Sequence, residues 1–289
     1  MYAETLQPWF EKLSNDGASH AMLHAAVGPT MATLFLVWQN CPFYGPVKRL
    51  TSLVRSIGNE LIKQCKLRID MDKLMVAPDL LLHEIRAALA LCAEFRGQYQ
   101  DFRSKAAELN PKSSLKKTEP TFVRFKHQQQ AKEEGSVEWP GRQDPVFSRI
   151  NKFMDRCNEV LDIAETIVHF TALDSIIIGG PMALDLTPVI QYVYADFLKS
   201  LQHLGDQQID YLNIDISADE FEAVFCKFKL DIKRFERQLL EIFHSSFQDN
   251  MSLPERLQVV ASYRMFCERD AINAGLRPRY MEVISMIEC

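Results

Sequence analysis

Glycine is scarce in this chain, 11 of 289 residues, and runs of β-branched residues are few. Both shortages argue against a sheet-dominated fold and favour helix. The seven cysteines, Cys41, Cys65, Cys92, Cys157, Cys226, Cys267 and Cys289, form no C-x-x-C pair and are odd in number. They read as reduced thiols, mostly in the core, of a cytosolic protein. The start, MYAETLQPWFEK, lacks a basic segment followed by an apolar one and so is not a signal peptide. Strong charge of either sign is also missing. A net charge of −5 and a pI near 5.8 give no general pull toward nucleic acid or an anionic membrane. No G-x-S-x-G, no H-E-x-x-H and no cysteine with a placed histidine partner occurs.

From Ala21 to Val47 there is no Asp, Glu, Lys or Arg, a stretch long enough to span a bilayer. Its polar residues and prolines, and Met31, Leu34, Phe35 and Trp38 at i, i+3, i+4, i+7, instead read as a buried helix of a bundle. Apolar residues make up 47 % of the chain, which supplies a sizeable core and excludes wholesale disorder. The length suits two packed domains or one elongated array.

Apolar residues recur at alternating steps of three and four in five stretches. The clearest is Phe221, Phe225, Phe228, Ile232, Phe235, Leu239, Ile242. Such spacing keeps one helical stripe against its neighbours. Further stripes are Val47, Leu50, Val54, Ile57, Leu61, then Leu81, Ile85, Ala88, Cys92, Phe95, Tyr99, Phe102, then Phe147, Ile150, Met154, Cys157, Leu161, Ala164, Val168, then Ile190, Val193, Phe197, Leu201, Leu204. Punctuation agrees with them. A helix near 18–40 is bent or interrupted at Gly28-Pro29, and Pro78 starts the third helix. Asp144-Pro145 and Thr187-Pro188 read as helix starts. Ser217 with Glu220 forms a capping box, and Leu253-Pro254-Glu255 opens a further helix. Residues 110–145, rich in Lys, Gln, Glu, Pro and Ser, read as a polar linker. The last helix is cut off at Ile287-Glu288-Cys289, which suggests a fragment of something longer. The expectation is an all-α chain, an elongated array of consecutive antiparallel helical bundles, with room for one short extended segment near 175–178. Residues 1–110 would form a first bundle, 111–144 a linker, and 145–289 a second, truncated bundle set.

Candidate chemistry is thin. His20 and His24, at i, i+4, could hold zinc, but Ala21 stands where a metalloprotease helix needs glutamate, and no third ligand is signalled. Gly179-Gly180 lacks the Lys-Ser/Thr pair of a phosphate loop and reads as a turn. Lys112, Lys116, Lys117, Arg124, Lys126 and His127 form a basic patch around Phe122 and Phe125. It could touch an acidic surface but reads first as solvated linker. Asp219, Glu220 and Glu222 complement a helix dipole. The residues assign no catalytic, cofactor or metal site.

Two segments are similar to the N-terminal tail of axonemal dynein heavy chains. One is Leu36-Val37-Trp38, Tyr44, Arg49-Leu50 and Leu53 to Ile62 with its Asn59-Glu60-Leu61-Ile62 element. The other is Trp139, then Phe147-Ser148-Arg149-Ile150-Asn151-Lys152-Phe153 and Arg156-Cys157. Ile178-Gly179-Gly180, the helix Lys229 to Gln248, and Arg269-Asp270-Ala271-Ile272 follow in the family's order. Pro140-Gly141 and the 112–135 stretch depart from the pattern. The resemblance implies a tail segment of a ciliary or flagellar dynein heavy chain, of an outer arm first and an inner arm second, in the axonemal cytoskeleton. It implies no enzyme activity in this segment, because the ATPase modules of such a microtubule motor lie C-terminal to it. It implies other heavy chains, intermediate chains, light chains and docking proteins on doublet microtubules as partners, with no nucleic acid, membrane or cofactor. Trp9, Phe10, Leu36 and Val37 are candidate contact residues off the seams, as is the linker, above all Phe125 and Trp139. The rival is an unrelated HEAT or armadillo adaptor, which should show a repeat near 40 residues; none is visible.

Overall fold

Most residues of the apolar stripes lie on the buried faces of helices in the computed structural model, which describes residues 2–44, 47–109, 145–207, 210–248 and 250–288. The helices in chain order are α1 (Tyr2–Leu13), α2 (His20–Asn40), α3 (Val47–Lys66), α4 (Lys73–Val76), α5 (Pro78–Leu109), α6 (Ser148–Thr171), α7 (Ala183–Gly205), α8 (Ala218–Ser246), α9 (Leu253–Ser262) and α10 (Asp270–Glu288). Short 3-10 turns occupy Pro42–Tyr44, Pro145–Phe147, Ala172–Ser175 and Arg264–Glu268. The chain is all-α, with no strand among the described residues. Near 175–178 a 3-10 turn ends at Ser175, and Ile176 has extended backbone angles, φ −70° and ψ 130°.

The described residues form two compact units. Those within Met1–Met71, Leu80–Leu161 and Leu212–Ile214 make the first, and those within Asp72–Asp79, Asp162–Tyr211 and Asp215–Cys289 the second.

In the first unit α1 packs on α2 and α3. Helix α2 runs unbroken through Pro29, so the interruption expected there does not form. Two hydroxyls bond back along the helix at this point, Thr30 Oγ1 donating to the Ala26 carbonyl at 2.7 Å and Thr33 Oγ1 to the Pro29 carbonyl at 2.9 Å. Length and composition alone would let α2 cross a membrane, but its Leu23, Val27, Met31, Leu34 and Trp38 face is buried against protein. Phe102 of α5 meets Phe35 of α2 at 5.1 Å between ring centres, and Phe147 meets Tyr99 of α5 edge-on at 4.9 Å. Gly58 serves close approach: a Cβ there would lie 2.9 Å from Cδ1 of Ile150. The thiols of Cys65, Cys92 and Cys157 lie in this core. A hydrogen bond with Cys92, reinforced by burial, pushes the Cys65 thiol well up, and burial does the same to Cys157.

The second unit is organised by α8. All seven residues of its Phe221-to-Ile242 stripe are buried. Ser217 Oγ accepts from the Glu220 amide at 3.2 Å and the Glu220 carboxylate accepts from the Ser217 amide at 3.2 Å, completing the expected capping box. Helix α7 lies along α8, and Phe170, Phe197 and Phe235 form one aromatic cluster with ring centres 5.1–6.4 Å apart. Helix α10 packs on α8 and α9. Helix α7 begins at Ala183, a turn before Thr187-Pro188, so Pro188 sits inside it. Helix α6 gives residues 148–161 to the first unit and 162–171 to the second. Along its length it buries Ile150, Phe153, Cys157, Val160, Ile163, Ala164, Ile167 and Phe170, while Met154, Leu161 and Val168 of the expected stripe stand half-buried on its flank. Its apolar face is broader than one three-four stripe.

Candidate functional site

Several residues of types that carry chemistry are engaged in holding helices. His20 opens α2, and both of its ring nitrogens are enclosed without a hydrogen-bond partner. Burial, with Arg68 nearby, lowers its pKa; Glu84 opposes this and His83 adds to it. His24 is exposed one turn on. Among the described residues no three His, Cys, Asp or Glu side chains converge as metal ligands.

Gly179 and Gly180 lie against α9. A Cβ on Gly179 would meet Gln258 Cβ at 2.6 Å and its backbone carbonyl at 2.8 Å, and the Gly179 amide donates to Ser262 Oγ at 2.8 Å. Gly180 has φ +87°, a left-handed conformation that favours glycine. The pair is a packing turn, and its amide is directed at a side chain of the protein itself.

Two arginines tie distant stretches together. In the first unit Arg68, at the end of α3, donates to the carbonyls of Asn15 (3.1 Å), Asp16 (3.3 Å) and Ala18 (2.7 Å), and so fastens the α1–α2 loop. Gln64 extends this network to Asp16 Oδ1 at 2.7 Å. In the second unit Arg269 pairs with Glu236 of α8 at 2.6 Å, with both side chains mostly buried. Arg269 also donates to Thr166 Oγ1 of α6 at 2.9 Å. Beside this pair a groove of about 290 Å³ opens between α6 and α8. Ile163, Phe228 and Ile232 form its floor; Asp162, Lys229 and Lys233 are on its rim.

The expected contact residues divide. Leu36 is 57 % exposed, and Trp9 and Phe10 are half-buried, with Lys12 Nζ 4.2 Å from the Trp9 ring centre. Val37 is core, 2 % exposed, because it shares the inner face of α2 with Leu34 and Trp38; its place among the off-seam residues is corrected. Phe125 and Trp139 lie outside the described residues. Phe228 and Ile232 belong to the 221–235 stripe, whose spacing reads as helix–helix core before pocket lining; the polar residues of the groove were not singled out from sequence as a site. The ordered motif Arg269-Asp270-Ala271-Ile272 was the available signal.

A family model described as dynein heavy chain, N-terminal region 1, matches residues 1–289. Among relatives, a dynein beta chain of the flagellar outer arm from Chlamydomonas reinhardtii is 24 % identical over 284 residues, covering 98 % of this chain. A ciliary dynein beta chain from Heliocidaris crassispina is 22 % identical over 276 residues, covering 95 % of this chain. Dynein axonemal heavy chain 17 from Homo sapiens is 20 % identical over 289 residues, covering 100 % of it. This chain spans about 6 % of the length of each of these relatives.

Proposed function

The chain belongs to the dynein heavy chain, N-terminal region 1 family, and from that premise we propose that it is a non-catalytic tail segment of an axonemal dynein heavy chain. Its task is assembly. It associates with other dynein components, namely heavy chains, intermediate chains and light chains, and through them with docking proteins on the doublet microtubules of a cilium or flagellum. Similarity to outer-arm and ciliary beta chains favours the outer arm and the axonemal cytoskeleton. The ATPase of such a motor would then lie elsewhere in its polypeptide.

The observation that carries this reading is the family match over residues 1–289, together with a described fold whose polar side chains serve helix packing. Stacked helices with dense seams resist deformation, which a segment that transmits force requires. Phe125 and Trp139 are kept as proposed contacts to an intermediate chain. Purified chain added to a high-salt axonemal extract should co-sediment with dynein subunits on a sucrose gradient. Migration at the position of the isolated chain would refute the assembly role. Alanine at Phe125 and Trp139 should weaken capture of an intermediate chain; unchanged capture removes those two residues from the contact.

A further inference from the structure

Helix α8 carries Lys229, Lys233 and Arg237 at i, i+4, i+8, three cations in line along about 12 Å of helix. Like charges at this spacing destabilise a helix. Only part of the line is compensated within the fold. Glu222 lies 3.7 Å from Lys229 Nζ, whereas Lys233 and Arg237 are exposed and have no ion-pair partner among the described residues. Lys227, two residues before Lys229 and so on another face of the helix, is a further exposed cation. A basic line is unexpected in a chain of net charge −5.

The line runs beside the groove between α6 and α8. Lys229 and Lys233 stand on its rim, the apolar side chains of Ile163, Phe228 and Ile232 floor it, and the Arg269–Glu236 pair closes one end. A volume of about 290 Å³ is at the low end for a small-molecule pocket and better suits one large apolar side chain of a protein partner. An apolar slot bordered by cations is the complement of a helix-in-groove ligand with an apolar anchor and carboxylates one and two turns away. Nucleic acid and anionic lipid fit less well, because a short row of cations beside one apolar slot matches a single anchored side chain with nearby carboxylates, not a continuous phosphate backbone or a planar headgroup surface.

We propose that this groove and the Lys229-Lys233-Arg237 line form a docking site for an acidic amphipathic segment of a partner protein. The proposal deepens, and rests on, the reading of the chain as an assembly segment. Its test is fluorescence anisotropy with a fluorescein-labelled synthetic peptide of about 18 residues, long enough for five helical turns. The peptide carries glutamates at i, i+4, i+8 and one phenylalanine on the same face. It should bind saturably, and the Lys233→Glu, Arg237→Glu double variant should weaken binding roughly tenfold or more. Replacing the peptide's phenylalanine by serine should weaken it several-fold, and rising salt should weaken it further. Both substituted positions are exposed, so circular dichroism should show an unchanged fold; the Lys233→Ala, Arg237→Ala variant gives a second, milder reading.

Four results overturn the proposal: no binding by the wild type, equal binding by the charge-reversed chain, equal binding of a lysine-substituted peptide, or tighter binding of polyuridylate or phosphatidylserine vesicles. Self-association abolished by the same charge reversal would assign the groove to a second copy instead, and would also overturn it. Loss of peptide binding with co-sedimentation intact removes the groove alone. The converse removes the assembly role and leaves the groove.

Discussion

The two units solve the same problem, joining long helices, with different polar chemistry. In the first, Arg68 spends its guanidinium on backbone: its partners are the carbonyls of the α1–α2 loop. These acceptors lie where a loop meets a core and would otherwise be poorly satisfied. In the second, Arg269 meets a side-chain carboxylate, Glu236, between packed helices. Their apolar parts differ as well. The first unit buries three thiols, Cys65, Cys92 and Cys157, beside aromatic pairs such as Phe35–Phe102 and Tyr99–Phe147, whereas the second gathers Phe170, Phe197 and Phe235 into one cluster. Removing an arginine should therefore orphan neutral acceptors in one unit and a charge in the other, and an orphaned buried charge is the costlier.

The largest expected effect follows directly. Arg269→Ala leaves Glu236 buried and unpaired and should cost about 3–5 kcal/mol. The Arg269→Met, Glu236→Met double variant should regain most of it. Urea unfolding measures both, and a double variant no better than the single one would break the charge argument. Arg68→Ala should cost about 2–3 kcal/mol, because charge-assisted bonds to carbonyls are lost but no ion is stranded. Hydrogen exchange should place that loss at residues 14–19; equal deprotection throughout the second unit would erase the contrast.

Glycines sharpen it next. Gly179→Ala drives a Cβ into Gln258 and its backbone, and should cost about 1–3 kcal/mol. Gly97→Ala in α5 meets nothing within 4 Å and should stabilise by about 0.5–1 kcal/mol. Thermal unfolding of the two variants should move in opposite directions.

The smallest effect is a pH dependence. The pKa of His20 is depressed by burial and by Arg68, so the fold favours the neutral ring. Its contribution is complete above the unfolded value near 6.5 and is lost as pH falls through the lower folded value. His20→Asn should lose less melting temperature between pH 7 and pH 5 than wild type does. Equal losses would contradict this role of His20.

Long-range periodicity was legible; long-range polarity was not. Phe221 to Ile242 could be read because a 29-residue helix repeats its pattern several times. Ser217-Glu220 could be read because both partners lie within one turn. Helices α1 and α4 and the 3-10 turns are too short to establish a period. The α7 start was missed because a proline that usually marks a first turn sits in the second. Arg68 finds Ala18 50 residues away, and Arg269 finds Glu236 33 and Thr166 103 residues away. No local spacing announces such pairs. The groove was hidden for the same reason: Lys229 and Lys233 acquire meaning only when α6 supplies Asp162 and Ile163 opposite them. The family relationship, by contrast, was read from motif order, although the relatives are only 20–24 % identical.

The measurement that tests the assembly role most directly is cross-linking mass spectrometry of the folded chain in a high-salt axonemal extract. The account predicts cross-links from lysines of this chain to dynein heavy or intermediate chains. Cross-links to none of the dynein subunits, from a chain whose circular dichroism remains helical, would contradict it.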